Sequence, residues 1–337
     1  MIGSANGYRV SITGLGASVP ERVLTNEDLA RMVDTSDEWI VTRTGIHERR
    51  IADPDEALSD IALPAARDAL ASAGVRGADV DLLICATVTP DMAFPATAAV
   101  LADALGSSDA AAYDLSAGCT GFMYALAQAY SMLASGLARC ALVVGGDLLS
   151  KIVDWTDRST CIVFGDGAGA VVLQRVESGG FIAFELGADG AGGPELYIPA
   201  GGSRLPATEE TVARGEHYVR MNGREVFKFA TRVLVSSARS LLDQSGVAVE
   251  DIDVYVPHQA NVRIIQHAVE RLGIPQERVV INVDKYGNTS SGSIPLALAE
   301  AVAEGRVKGG DLVLMTGMGA GLTWGSALLE WTTDGAA

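Results

Sequence analysis

The stretch AGCTGF places Cys119 between Gly118 and Thr120, with Gly121 next and a run of helix formers behind it. A thiol at a helix start faces unpaired backbone N–H groups and the positive end of the helix dipole, and both favour the thiolate. Cys119 in that position is a candidate nucleophile; the alternative is a small buried apolar side chain, the usual fate of a cysteine. Cys85, Cys140 and Cys161 fit the alternative, because each lies in or beside an apolar run. His258, in VPHQANVRI, stands at the turn from a strand to a helix, and Asn288, in KYGNTSSGSIP, lies in a turn rich in Gly and Ser before another helix. Taken singly, a loop histidine is structural or solvated, and an asparagine there makes an Asx turn or an N-cap. His47, His217 and His267 have no comparable setting and read as structural.

Two glycine-rich stretches, GDGAGA (165–170) and GMGAG (317–321), invite a nucleotide-binding reading. Each leads into a strand, whereas a dinucleotide fingerprint runs strand, glycine turn, helix, and no GxxxxGK[ST] is present. Tight loops beside a thiol serve another purpose, letting backbone N–H groups approach a substrate carbonyl as an oxyanion hole does.

The elements that must position these groups alternate. Short β-branched runs (VDLLICATV, CALVVGG, TCIVFGDGAGAVVL, DIDVYVPH, DLVLMTGMG) are separated by alanine-rich helical stretches at 56–73, 119–135, 224–243, 261–272 and 294–305. That order predicts an α/β fold with much parallel sheet. A repeat lies within it. VDLLICA aligns with IDVYVPH, AGCTGFMYAL with TSSGSIPLAL, and ALVVGGD with VLMTGMG, each pair 172 positions apart (252 against 80, 289 against 117, 313 against 141). A period so long excludes a solenoid and predicts two halves about a pseudo-twofold axis. Cys119 then matches Ser291 and Ala86 matches His258, so a symmetric frame carries asymmetric chemistry where the glycine loops of both halves meet.

The chain has 337 residues, 48% of them hydrophobic and 20% charged, enough for two domains or one large duplicated one. No apolar run approaches the roughly 18 residues of a membrane span, and the opening MIGSANGYRV lacks a basic segment followed by an apolar one, so a cytoplasmic location is expected. Four cysteines without a CxxC pair or a zinc-like Cys/His spacing read as reduced thiols, with no metal. A net charge of −17 disfavours nucleic acid and anionic membranes as partners, and any acidic partner needs a local basic patch.

Cys119 in AGCTGF, His258 in HQANVRI and Asn288 in GNTSSGSIP together resemble the Cys, His, Asn triad of the β-ketoacyl-acyl-carrier-protein synthase III family, in the thiolase superfamily. SDEWIVTRTGI (36–46), DRSTCIVFGDGAGA (157–170), NGREVFK (222–228) and TWGSALLEW (323–331) extend the resemblance over essentially the whole chain. It implies a five-layered αβαβα fold of two similar halves, 1–178 with the nucleophile and 179–337 with His and Asn, assembled as a homodimer. The implied reaction acylates Cys119 from a short acyl-CoA, then condenses that acyl group with malonyl-acyl-carrier-protein after decarboxylation, without metal or redox cofactor.

The same resemblance assigns further roles. Backbone N–H groups of Cys119 and Ala320 would hold the oxyanion, although the family more often has glycine at the latter position. Trp39 and Arg158 would sandwich the adenine of coenzyme A with Arg43 nearby, and Gly223 and Asn261 would line the pantetheine tunnel. The acyl pocket would be made by Leu149, Phe164 and, from the partner subunit of the dimer, Phe94. Arg224, Lys228 and Arg232, four residues apart on one helix face, with Arg263, would dock the acidic carrier protein; Arg224 replaces a smaller polar residue common in the family. Three other readings compete: an acyltransferase of this fold that does not decarboxylate, a polyketide starter enzyme, and a catalytically silent acyl-CoA-binding scaffold.

Overall fold

Two aliphatic runs, LLICA and CALVVGGDL, are buried along their whole length, which requires a sheet covered on both faces. They are the strands β2 (Leu82–Ala86) and β4 (Cys140–Leu148) of a five-stranded sheet that also contains β1 (Arg9–Ser18), β3 (Ala111–Leu115) and β5 (Asp166–Val176), in the order β1-β5-β4-β2-β3. The chain then crosses to a second sheet of β6 (Gly180–Ala188), β7 (Val254–Pro257), β8 (Leu312–Gly319) and β9 (Thr323–Glu330), in the order β6-β9-β8-β7. This computed structural model describes residues 8–332; MIGSANG at the start and the last five residues lie outside the described residues.

The predicted repeat is visible strand by strand. In each sheet one corresponding pair is parallel, β2 with β4 and β7 with β8, and the two strands that follow it across the sheet (β5 and β1, β9 and β6) run antiparallel. β2 and β7 begin at residues 82 and 254, and β4 and β8 at 140 and 312; the helices α4 (Gly121–Ser135) and α7 (Ser293–Ala303) begin at 121 and 293, so each pair keeps the offset of 172. β3, at the edge of the first sheet, is matched in the second only by the isolated parallel bridge of Val279 to Tyr255 among the described residues.

Helices complete five layers. α2 (Leu58–Ser72) and α3 (Thr97–Leu105) cover the outer face of the first sheet, α4 and α7 lie between the sheets, and α5 (Gly223–Ser245) covers the second with α6 (Val262–Leu272) packed beside it. The sequence dictates which helix goes where. α4 reads GFMYALAQAYSMLAS, apolar nearly all round, and buries Phe122, Met123, Leu126 and Leu133 in the central core with Ile294 and Leu298 of α7. α5 is amphipathic instead: Phe229, Val233, Leu234, Leu241 and Leu242 face the sheet while Arg224, Lys228 and Arg232 stay exposed. Among the described residues no helix is long and apolar enough to cross a membrane.

One local expectation needs correction. Cys119 does not lie in the first turn of its helix: α4 starts at Gly121 with Thr120 as its cap residue, so the thiol stands one residue before the cap. The Thr120 hydroxyl makes no cap bond; it meets the Thr323 hydroxyl at 2.5 Å, and Thr323 also donates to the Ala117 carbonyl at 2.9 Å. The cysteine turn is thereby held against the loop that joins β8 to β9.

Candidate active site

Cys119 is fixed by close backbone contact. A Cβ at Gly319 would fall 2.5 Å from the Cys119 nitrogen and 3.0 Å from that of Thr120, and a Cβ at Gly118 would fall 2.8 Å from the Ala320 nitrogen. Only glycine allows the two loops to approach so closely. Cys119 is 8% exposed, and burial pushes its thiol up to about 11. Three polar groups pull in the other direction: the Ser290 hydroxyl and the backbone N–H groups of Cys119 itself and Ala320 each lower the thiol's pKa, by less than burial raises it. The expectation of a ready thiolate is therefore reversed. The site is dry enough that desolvation outweighs the helix start, and the resting sulfur carries its proton at neutral pH.

His258 follows the last residue of β7, at the strand end that the repeat matches with Ala86. Its backbone N–H bonds the Thr316 carbonyl at 2.8 Å, and its ring is 1% exposed. Nδ1 lies 2.5 Å from the Ser293 hydroxyl at the start of α7, whereas Nε2 finds no hydrogen-bond partner among the described residues. Burial lowers its pKa to about 4, so the imidazole is neutral at working pH.

Asn288 is held by its own turn. Its N–H bonds the Val163 carbonyl, its carbonyl accepts from Gly165, and its side-chain Oδ1 accepts the Ser290 N–H at 2.9 Å. The Asx turn read from the sequence is therefore present, and it leaves the carboxamide NH2 as the end available to a ligand. Ser290 closes that turn with φ +52°, the left-handed region unusual for a side chain other than glycine. Its counterpart across the repeat is Gly118, with φ +57°. The two helix-start turns share one backbone shape, and the serine version sends a hydroxyl to the sulfur beside the glycine version.

These three side chains line one cavity of about 200 Å³, together with Arg43, Gly223, Asn261 and Phe164. A second cavity of about 220 Å³ opens on the other side of Cys119 and is lined by Leu149, Phe164, Ser290, Ala320 and further aliphatic side chains. The sulfur thus sits between a channel with polar ends and an apolar pocket. At the mouth of the first, the Asn261 side chain donates to the Arg43 carbonyl, and the Arg263 guanidinium lies 5.6 Å over the Phe227 ring. Trp39 is covered by Arg43 at 5.5 Å and by Arg158 at 4.8 Å, so a ring stacking on that indole must displace the Arg158 side chain. Lys228 pairs with Glu225 at 2.7 Å. Phe94 lies outside both cavities and is 85% exposed on its own chain.

Sequence reasoning missed four contributors. Ser290 and Ser293 are two of the three serines that follow Asn288 and Thr289, and spacing alone does not tell which hydroxyl faces the sulfur, the histidine or the core. Asp147, at the end of β4, accepts hydrogen bonds from Thr87, Val88, Thr89 and Ser291; the Ser291 hydroxyl meets it at 2.8 Å and the Ala86 carbonyl at 2.7 Å. That carboxylate ties the Asn288 turn to the first sheet. Thr323 does the same for the cysteine turn.

Known proteins match this arrangement over nearly the full chain. Residues 113–190 match the model of 3-oxoacyl-[acyl-carrier-protein] synthase III, and residues 242–331 match the model of that family's C-terminal part. A β-ketoacyl-[acyl-carrier-protein] synthase III of Symbiobacterium thermophilum is 62% identical over 96% of this chain and 98% of its own. Among solved structures, the β-ketoacyl-[acyl carrier protein] synthase III of Thermus thermophilus is 52% identical with a TM-score of 0.89, covering 97% of this chain and 100% of that one. The priming β-ketosynthase of the R1128 polyketide pathway is 38% identical with a TM-score of 0.90, covering 97% of each.

Proposed function

The chain belongs to the 3-oxoacyl-[acyl-carrier-protein] synthase III family, and we propose that its two cavities carry out, on either side of Cys119, the condensation that starts fatty acid synthesis. In the first half-reaction the Cys119 sulfur attacks the carbonyl of a short acyl-CoA. The S–C bond to Cys119 forms, the bond to coenzyme A breaks, and the thiol proton leaves with the coenzyme A sulfur. We assign the N–H groups of Cys119 and Ala320, both of which favour negative charge at the sulfur, to the oxyanion that forms on the carbon bonded to it; such a donor is worth roughly 3 to 4 kcal/mol of barrier.

In the second half-reaction a malonyl group on acyl carrier protein takes the channel vacated by coenzyme A. Its C–CO2 bond breaks, and the electron pair becomes an enolate whose charge lies on the thioester oxygen. His258 and Asn288 both line that space and both are neutral; the ring's Nε2 has no hydrogen-bond partner among the described residues, the carboxamide keeps its NH2 while its oxygen accepts the Ser290 N–H, and each can donate to the developing charge. The enolate carbon then attacks the acyl carbon on Cys119, the sulfur leaves and takes up a proton, and a 3-oxoacyl thioester departs. Every step moves protons and electron pairs between thioesters, so neither metal nor redox cofactor is called for.

Around that centre we assign Trp39, Arg43 and Arg158 to the adenine end of coenzyme A, Gly223 and Asn261 to the pantetheine channel, and Leu149 and Phe164 to the acyl pocket. The exposed Phe94 completes that pocket from the partner subunit of a homodimer. Lys228 and Arg263, with Arg224 and Arg232, receive the acidic carrier protein at the channel mouth.

The observation that carries this reading is the convergence of Cys119, His258 and Asn288 on one cavity. Intact-protein mass spectrometry with acyl-CoA alone is expected to add one acyl group, lost in Cys119→Ala. CO2 release from malonyl-acyl-carrier-protein is expected to fall far more than acylation in His258→Ala and Asn288→Ala. Label on another cysteine, or equal loss of both half-reactions in folded variants, overturns the assignment.

A further inference from the structure

The two nitrogens of His258 meet different surroundings. Nδ1 lies 2.5 Å from Ser293 Oγ, while Nε2, on a residue that lines the cavity shared with Cys119 and Asn288, is buried with no hydrogen-bond partner among the described residues. A neutral imidazole carries one proton, and which nitrogen holds it decides whether Nε2 donates or accepts in the cavity.

Ser293 decides the matter through its own hydrogen-bond inventory. Its oxygen already accepts the Gln259 N–H, at 3.3 Å. Among the described residues its hydroxyl makes no hydrogen bond to any carbonyl or carboxylate, and the residue is 1% exposed, so its proton has one hydrogen-bond acceptor, Nδ1. The opposite arrangement, with the proton on Nδ1, brings two donors to one oxygen and leaves a buried hydroxyl proton without an acceptor, which a dry site penalises. Both neighbours are immobile. Ser293 opens α7, and the Gln259 side chain is held by the Pro257 and Val280 carbonyls and by the Asn282 N–H.

We propose that Ser293 is a positioning residue for the condensation: its hydroxyl donates to Nδ1 and holds His258 in the tautomer that carries hydrogen on Nε2. That tautomer gives the cavity a donor aimed at the thioester oxygen of the malonyl group, and it removes His258 as a base for the Cys119 thiol. The inference deepens, and rests on, the role given to His258 in enolate stabilisation. It also accounts for the direct passage of the thiol proton to the coenzyme A sulfur, since Nε2 has no lone pair to receive it. The low basicity that burial confers on the ring keeps this neutral form in place across the working pH range.

Histidine-selective 15N NMR tests the proposal, because the chain has four histidines and His258→Ala identifies the resonance. In the wild-type protein His258 is expected to show a protonated Nε2 and a bare Nδ1. Ser293→Ala is expected to move the proton toward Nδ1, to slow decarboxylation of malonyl-acyl-carrier-protein about 10- to 100-fold, and to change Cys119 acylation less than about threefold. Ser293→Thr, which restores the hydroxyl, is expected to recover both the tautomer and the rate. A wild-type His258 protonated on Nδ1 overturns the inference, as does a Ser293→Ala protein that keeps the Nε2 proton and the full decarboxylation rate. If Ser293→Ala loses the tautomer while decarboxylation is untouched, the assignment of Ser293 stands and the role of His258 in that step falls.

Discussion

Adding one methyl group at Gly319 tests the oxyanion arrangement without touching any side chain of the site. In Gly319→Ala the new Cβ falls 2.5 Å from the Cys119 nitrogen, and real Cβ contacts to such atoms begin at about 3.0 to 3.4 Å, so the two loops must separate by roughly 0.5 to 0.9 Å. The atoms in the way are backbone, the Cys119 nitrogen and Cα and the Thr120 nitrogen, and no flexible side chain can yield in their place. The shift moves the Cys119 N–H relative to the Ala320 N–H, the two groups assigned to the oxyanion. Losing one such donor costs 10²- to 10³-fold in rate, and a misplacement near 1 Å costs about 10²-fold. Acylation of Cys119 by acyl-CoA, followed by intact mass, is therefore expected to slow about 100-fold. Folding should survive, with overpacking taking about 1 to 3 kcal/mol of stability. Gly190→Ala is the control, since its Cβ meets nothing within 4 Å and its φ is not positive, and it should acylate at the wild-type rate. A folded Gly319→Ala protein that acylates at the wild-type rate refutes the claim that this close approach sets the donor geometry.

Three further outcomes are expected. With the thiol pushed up to about 11, the rate of Cys119 alkylation by iodoacetamide should rise about tenfold per pH unit from pH 7 to 10, with Cys119→Ala as the blank; a plateau already at pH 7 would show a resting thiolate. Because His258 titrates at about 4 when folded and near 6.5 when unfolded, the unfolded chain binds the extra proton between those values. Stability is unaffected above pH 6.5 and falls as pH drops toward 4, by about 3 kcal/mol at most, and denaturant titrations of His258→Gln should show that much less acid sensitivity. Lys228→Glu or Arg263→Glu should slow reaction with malonyl-acyl-carrier-protein about tenfold at low salt, with the difference fading above 0.1 M salt and acylation by free acyl-CoA little changed; indifference to both charge and salt would mark the patch as a solvated helix face.

Periodicity and the 172-residue offset carried the architecture, because buried parallel strands and a helix enclosed by two sheets leave unbroken apolar runs that a sequence cannot hide. Cys119, His258 and Asn288 were legible as candidates for a different reason: their residue types at strand and helix ends admit few uses, and the surrounding motifs are specific to the family. What escaped depends on direction. Ser290, Ser291 and Ser293 lie in one turn, yet their hydroxyls reach the Cys119 sulfur, the Asp147 carboxylate and the His258 ring respectively, a division set by one left-handed φ and by the turn before α7. The thiol's basicity escaped as well, since it is governed by desolvation from both halves, which no local stretch encodes. The resemblance already placed Arg158 near Trp39, more than a hundred positions away, but that the guanidinium lies directly over the indole is shown only by the fold.

The offset of 172 also pairs Asp147 with Gly319, and Ser291 with Cys119. On one side of the pseudo-axis a carboxylate grips a serine hydroxyl; on the other, a bare glycine lets the backbone of the cysteine turn come close. Were the molecule two identical half-chains associating about a true twofold, each of these pairs would be specified by a single codon. A carboxylate gripping the turn at one end would then stand beside the thiol at the other, and the glycine that opens space for the donors would take away the anchor. Covalent fusion of the halves is what lets the two copies diverge, so that one becomes a permanent clasp and the other a reaction centre. Heredity acting on two independent copies, more than any extra packing, is what joining the halves in one chain supplies.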